Sequence, residues 1–546
     1  MRHRLRRVLV AAFVAALAFA RVAGSEATVV GRPEGELRDH LWLSWLFARE
    51  AWDHHALPFH TLLGGAPEGF SIYPLDPLHQ LAITLLEPAF GVVAALNLVA
   101  FALFAVVVYG GQKLAASSGG GVIAEVGCGA LAAICPAFVA AFADTQTEGM
   151  ASGWLLLLLA ELFAERPRAG RVALWGCVLL ATGPYLAHGV AVVAIVTWIA
   201  RRLPWRAAIP VVATATLLAT TAWSTESGPG GVVAARGARL EASKVPPRST
   251  PLGATPAPPL PDDGVVRHLS EYPGATETGP RRAAPWAMVG LLAFSLRERR
   301  ARLPAALALL YGAIAMGNRF GGNGEAVPFL TPYEAFWRWM PLAKYAWKPA
   351  QYAVPATAFA LLAIARAWPR PNLPQARVAG WLVATGAIGA VAEATWNGPA
   401  PLPLPASSLH PLLAWSQLSR GGGTVAEFPC RDRRVPGQAP TADVLLGPLW
   451  HGRPLAETPN RGVGKAHAAL LASLEAAATD RPSRDALPLK LALDHAAANG
   501  FSDVLILGQR LGQLDKSRLL TALSAAGFAV PPADTDGVVA VRLGGG

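Results

Sequence analysis

Three short stretches of this sequence carry residue types that can do chemistry. The first is ELRDHLWLSWLFAREAWDHH, residues 36–55, where Asp39 opens an amphipathic run with Leu41, Trp42, Trp45, Leu46 and Trp52. Such a helix is expected to lie in a membrane interface with its aromatics in lipid and its carboxylate near the surface. That carboxylate could be a general base or a metal ligand, or simply a solvated acid on a surface helix. The second is ADTQTEGM, residues 143–150, a very short turn between two apolar runs with Asp144 and Glu148 at the helix ends. With Asp39 these acids could hold a hard divalent cation, magnesium or manganese, or activate a hydroxyl. Helix termination is the plain alternative, weakened for Asp144 because an acid at a helix C-terminus opposes the dipole. The third is WRWMPLAKYAWKPAQY, residues 337–352, where Lys344 and Lys348 sit among Trp337, Trp339, Tyr345 and Trp347. Basic groups at a bilayer surface suit a phosphate or pyrophosphate headgroup. An aromatic belt with snorkelling lysines is the competing account.

Histidines and cysteines add little by spacing. His40, His54, His55, His60 and His79 share the region of Asp39, yet no HExxH accompanies them, so most are expected to be polar loop or packing residues. His188 falls within an apolar run beside Gly183-Pro184, and an intramembrane ionisable group is a functional candidate. Cys128, Cys135 and Cys177 lie in apolar segments and Cys430 stands alone, with neither metal-binding spacing nor a disulfide framework. No P-loop, GxSxG or kinase signature occurs in a suitable context, which argues against ATP-driven transport and α/β-hydrolase chemistry.

The elements that must position these residues follow from composition. Of 546 residues, 53% are hydrophobic and 15% charged, well under the roughly 25% charged of soluble domains. Apolar runs near 8–23, 89–112, 121–143, 150–165, 171–184, 187–200, 207–223, 284–296, 303–317, 350–366 and 378–395 read as about eleven transmembrane helices. Several are shorter than the ~20 residues of a full crossing. The pair at 171–200 reads either as two short helices or as one broken one. MRHRLRR before VLVAAFVAALAFA has the form of a signal peptide, and an uncleaved first helix fits the span count better.

The net charge of +11 is placed at span ends rather than in a nucleic-acid-binding patch. With the N-terminus inside, the clusters Arg2–Arg7, Arg166–Arg171, Arg201–Arg206, Arg297–Arg302 and Arg366–Arg377 all become cytoplasmic. Residues 24–76 carry eight acids against three arginines and fall outside. The expected architecture is therefore an all-α polytopic membrane bundle, residues 1–395, with large outer loops 24–88, 224–283 and 318–349. An extracytoplasmic α/β domain, 396–546, follows. There TVAEFP, VLILG and GVVAVRL read as strands, with helices near 465–478, 484–498 and 511–526.

This arrangement resembles the GT-C superfamily of polytopic glycosyltransferases, in particular its bacterial YfhO-like and dolichyl-phosphate-mannosyltransferase-like members. The likeness rests on a first span followed by a long loop with an early acid, RDHLWLSWLFAREAWDHH, and on FGVVAALNLVAF opening the second span. It rests further on the acidic turn DTQTEG, on MPLAKYAWKPAQY before a late span, and on a soluble region beginning with TVAEFP. The resemblance implies a bacterial cytoplasmic-membrane enzyme that moves sugar from a polyprenyl-phosphate-linked donor at the outer face. Asp39 would be the catalytic acid, with Asp144 and Glu148 in the second outer loop, where a metal is bound in some members. DTQTE departs from the paired DxD or DxE spacing, since three residues separate its acids. His40, Arg338, Lys344, Tyr345, Trp347 and Lys348 would bind the substrate. The acceptor stays open between glycan, lipid and protein. A flippase of lipid-linked glycan and a non-catalytic envelope assembly protein are the rival readings.

Overall fold

The computed structural model describes residues 2–22, 27–32, 37–57, 59–63, 69–74, 76–226, 271–272, 281–282, 286–315, 332, 335, 352–368, 402–409, 412, 415, 418, 423–429, 448–451, 453–454, 465–479 and 486–543. Helices occupy every expected apolar stretch except 378–395, which lies outside those residues. In chain order they are α1 (Arg2–Ala18), α3 (Pro77–Ser117), α4 (Val122–Ile134) with α5 (Pro136–Ala143), α6 (Ser152–Leu162), α7 (Ala169–Thr182), α8 (Pro184–Ala200), α9 (Ile209–Glu226), α10 (Trp286–Ser295), α11 (Arg299–Ala315) and α12 (Ala353–Ala367). Before α3, the first long loop folds into α2 (Leu37–Asp53). The 171–200 region is two helices: Pro184 starts α8 at its first turn, where its missing N–H costs nothing.

The expected count of eleven crossings is not confirmed. Among the described residues two helical stretches are long and apolar enough to cross a membrane, Pro77–Ser117 and Trp205–Thr225. A third counts if α4 and α5, bent by 48°, form one span. Proline explains that bend, because Cys135 turns extended just before Pro136 opens α5.

Charge separates the two ends of the bundle. At one end Glu125 accepts hydrogen bonds from Arg6 at 2.7 Å and from Arg7 at 2.8 and 3.0 Å. Arg171 pairs with Glu161 at 3.1 Å and Arg300 with Glu165 at 3.3 Å. The α4–α5 path, about 28 Å long at 1.5 Å per residue, then leads to Asp144. Small residues let these helices approach closely: a Cβ on Gly111 would stand 2.5 Å from the Cys128 carbonyl oxygen, joining α3 to α4.

The bundle region is not purely helical. Strand β1 (Thr28–Val30) pairs antiparallel with β6 (Ala406–Ser408), with Thr28 opposite Ser408. Short pairs also join β2 (His60–Thr61) to β3 (Phe70–Ser71) and β4 (Glu271–Tyr272) to β5 (Arg281–Arg282). The later strands are β7 (Thr424–Phe428), β8 (Phe501–Leu507) and β9 (Val538–Arg542), with β8 central, parallel to β7 and antiparallel to β9. Both faces of this sheet are covered, which accounts for its near-continuous apolar runs. Ala426, Phe428, Val504 and Ile506 pack with Leu470, Leu474, Leu489, Leu493, Leu519 and Leu523 from the helices Lys465–Thr479, Leu487–Ala498 and Gln513–Ala525. The alternate residues Val425, Leu505 and Leu507 join the main core instead.

Two of the three expected α2 tryptophans, Trp42 and Trp45, do not face outward; Trp52 is 43% exposed. Trp42 and Trp45 are buried in the main core with Leu41, Leu46 and Phe47, and Trp42 stacks on Phe70 with 5.9 Å between ring centres. The β2–β3 hairpin and the start of α3 cover the face that an isolated amphipathic helix would turn to the bilayer.

Candidate functional site

The acidic turn at 144–148 is built from three directions. From the N-terminal side, the Arg32 amide donates to the Ala143 carbonyl at 2.7 Å, and the Arg32 guanidinium pairs with the Asp144 carboxylate. That ion pair offsets the dipole penalty of an acid at the end of α5. Gly31, with φ of +125°, permits the approach, since a Cβ there would collide with the Thr145 hydroxyl. Thr145, itself at φ +58°, donates to the Val30 carbonyl at 2.7 Å. Asn97 of α3 fastens β1 from behind, accepting from Val30 N–H and donating to the Thr28 carbonyl, both at 2.9 Å.

From α2, His40 reaches the same turn. Its Nδ1 lies 3.0 Å from the Thr147 hydroxyl and its Nε2 lies 3.5 Å from Glu148 Oε2. Asp39 is the preceding residue, half-buried on the first turn of α2. Its position there lets the positive end of the helix dipole favour the ionised carboxylate.

From the start of α3 comes a group that sequence reasoning passed over. Asp76 and His79, both buried, sit at i and i+3, with Gln80 at i+4. His79 Nδ1 donates to the Thr147 carbonyl at 3.1 Å and lies 3.6 Å from Asp76 Oδ2. Gln80 donates to both Asp76 oxygens at 3.3 Å and accepts from the Ser44 hydroxyl of α2 at 3.0 Å. The signal was present as DPLHQ, a proline-started helical turn with polar residues at helical spacing. Of the two roles expected for this histidine, polar loop or packing, His79 takes the second, buried within this network. Two other histidines of the region have separate partners: His54 with Glu50 at 2.9 Å and His60 with Ser71 at 3.2 Å.

The structure therefore brings His40 and Glu148 together and puts Asp144 on the same turn, with Asp39 one residue from His40. Arg338, Lys344, Tyr345, Trp347 and Lys348 lie outside the described residues. The acids do not fit a metal centre as placed. Asp144 is taken up by Arg32 and Glu148 by His40, and among the described residues no group of three His, Cys, Asp or Glu side chains could hold an ion.

Replacing His79 with Leu is expected to leave the Asp76 carboxylate and the Thr147 carbonyl short of a partner. That costs about 1–3 kcal/mol, read as a lowered Tm of the detergent-purified protein. Asn at 79 keeps a donor at the Nδ1 position and should recover most of the loss. Equal Tm for the Leu variant and the parent would show that the network does not hold the turn.

No protein-family model matches the chain, and no curated protein matches it by sequence. Among solved structures, the arabinofuranosyltransferase AftD from mycobacteria aligns over 100% of this chain at TM-score 0.56 and 16% identity. Its R1389S mutant aligns at TM-score 0.53 and 15% identity. The chain has the GT-C fold. It spans 40% of the length of the AftD chain, so it corresponds to only part of that molecule. An oligosaccharyltransferase from Archaeoglobus fulgidus aligns more loosely, at TM-score 0.46 and 11% identity over 99% of this chain and 74% of its own.

Proposed function

We propose that this chain is a membrane glycosyltransferase that moves a sugar from a polyprenyl-phosphate-linked donor to an acceptor at the outer face of the bacterial cytoplasmic membrane. The observation that carries the reading is the GT-C fold together with the placement of Asp39. Its neighbour His40 is held by Thr147 and Glu148 on the acidic turn, so the acid stands on a braced helix start rather than on a free loop. The sidedness follows from the basic end of the bundle: if Arg6, Arg7, Arg171 and Arg300 face the cytoplasm, the acidic turn faces outward.

In the proposed step the Asp39 carboxylate takes the proton of the acceptor hydroxyl as that oxygen bonds to the anomeric carbon of the sugar. The bond from that carbon to the phosphate oxygen breaks, and its electron pair leaves with the polyprenyl phosphate. Lys344, Lys348 and Arg338 are assigned to the charge that develops on the departing phosphate. His40, Tyr345 and Trp347 are assigned to holding the donor, and loop 224–283 to closing over it.

The test is photocrosslinking of the membrane-embedded protein with a photoactivatable polyprenyl-phosphate sugar. Label is expected on peptides containing Lys344–Lys348 and on the 36–55 peptide. No label on either peptide would favour the assembly-protein reading. Label without any transfer to added acceptors would favour a flippase.

A further inference from the structure

Four helix ends meet at the basic end of the bundle, and three of them bring an arginine to one place. Ala301 and Ala305 of α11 pack on Ala363 of α12, and such small side chains let two helices close on each other. That contact carries Arg300, at the start of α11, against Arg366, in the last turn of α12. Arg366 Nη1 donates to the Arg300 carbonyl at 3.2 Å. Its Nη2 donates to the carbonyl of Phe163, the residue that ends α6, and the guanidinium lies over the Phe163 ring, 5.2 Å from the ring centre. Arg201 ends α8 and is exposed, and its charge bears on Arg366 together with that of Arg300.

The cluster is short of negative charge. Arg300 pairs with Glu165 at 3.3 Å, in an exposed contact. Among the described residues no carboxylate pairs with Arg366 or Arg201, and both hydrogen-bond partners of Arg366 are neutral carbonyls. A guanidinium stays charged, so half-burying one beside two like charges costs free energy until an anion meets it. Two of its five N–H groups are used. The Nε–H and one hydrogen on each Nη remain, a fork that fits phosphate oxygens. The apolar surface beside the cluster decides which phosphate fits. Leu303 stands one turn along α11 from Arg300, on the neighbouring i+3 position, and Leu310 two turns further; they are 60% and 50% exposed. On α8, Val192, Ile195, Val196 and Ile199 form an exposed stripe at helical spacing that stops two residues before Arg201. A free phosphate gains nothing from these side chains, whereas a phospholipid can seat its headgroup at the arginines and its acyl chains on the stripes.

We propose that Arg201, Arg300 and Arg366 form a site for the phosphate of an anionic phospholipid, whose acyl chains run along the exposed apolar residues of α8 and α11. Arg366 supplies the fork, and Arg201 and Arg300 supply the remaining charge, as basic pockets between membrane helices do for anionic headgroups. A lipid seated there ties the ends of α6, α8, α11 and α12 together. The site lies at the other end of α6 from the acidic turn, since Glu148 precedes that helix and Phe163 ends it. It does not depend on the transferase reading.

The test follows the Tm of the full chain, purified in a neutral detergent and stripped of lipid, since a ligand that binds the folded state raises Tm. The probes are dioleoylphosphatidylglycerol, dioleoylphosphatidylcholine with the same acyl chains, and inorganic phosphate, at equal concentrations. The glycerol lipid is expected to raise Tm by a few degrees, and the other two by less than half as much. Arg201 makes no side-chain hydrogen bond among the described residues, so Arg201→Gln should fold as the parent does and lose most of the rise. Arg4→Gln removes an equal charge from the exposed start of α1 and should keep it. Arg366→Lys keeps the charge without the fork and should also lose most of the rise; if this variant does not elute as the parent does, Arg201→Gln decides alone. Equal rises with both lipids would show no headgroup selection and overturn the proposal. A rise with inorganic phosphate matching that with the glycerol lipid would make the ligand a soluble anion, which also overturns it. A full rise in Arg201→Gln or in a folded Arg366→Lys, or an equal loss in Arg4→Gln, would trace the effect to overall charge and overturn it as well.

Discussion

Replacing Asp39 with Asn is expected to lower sugar transfer by about 10²- to 10⁴-fold, the range that positioned acid–base groups contribute, while the protein stays in the membrane at its normal level. Both halves of that expectation come from the placement of the residue. Asp39 is half-buried on the first turn of α2, where an acid contributes up to about 2 kcal/mol through the helix dipole. The helix itself is held by Trp42, Trp45 and Leu46 in the core, and its first turn by the contact of His40 with Thr147. Transfer should be measured in membranes from a polyprenyl-phosphate sugar, alongside immunoblot quantity and Tm. Transfer retained within a factor of two would remove Asp39 from the reaction, and a fall in Tm matching the lost transfer would make it a structural acid.

Gly153→Val should act in the opposite way, on the fold rather than on the chemistry. At the start of α6, a Cβ on Gly153 would stand 2.7 Å from the Val107 amide nitrogen and 2.8 Å from the Val106 carbonyl carbon of α3. Those atoms are backbone in a packed helix and cannot turn aside as a side chain could. Gly110 faces the same crossing, with Leu156 Cβ 2.7 Å from where its own Cβ would be. Overpacking of this kind costs roughly 1–3 kcal/mol and more when the backbone must shift. Valine at 153 should place the variant at the upper end, with a lowered Tm and reduced yield of monodisperse protein. Normal Tm and yield would mean that the α3–α6 crossing is looser than its geometry shows. Because α6 starts just after Glu148, a displaced α6 should also reduce transfer in whatever protein survives.

The positions of the helices were legible along the chain, because an apolar run and the charges at its ends are local properties that follow the bilayer. Arg6, Arg7, Arg171 and Arg300 do gather at one end of the bundle, and the strands around TVAEFP, VLILG and GVVAVRL form one sheet. The number of crossings was not legible. Prolines 136 and 184 and Gly91 break apolar runs into pieces whose lengths no longer report spans. The α2 aromatics were misread for a related reason: periodicity identifies an apolar face but not what covers it, and here hairpin β2–β3 with the start of α3 covers Trp42 and Trp45.

At the site, the residue types could be read along the chain: Asp39 at a helix start, two acids on a five-residue turn, and histidines near them. Their partners could not be read there and come from packing. Arg32 meets Asp144 across 112 residues, His40 meets Thr147 across 107 and His79 meets Thr147 across 68. The physical reason is that hydropathy and charge act on a segment wherever it lies. A hydrogen bond needs two groups within about 3 Å, a proximity that only packing α2, α3 and the turn after α5 against one core can supply.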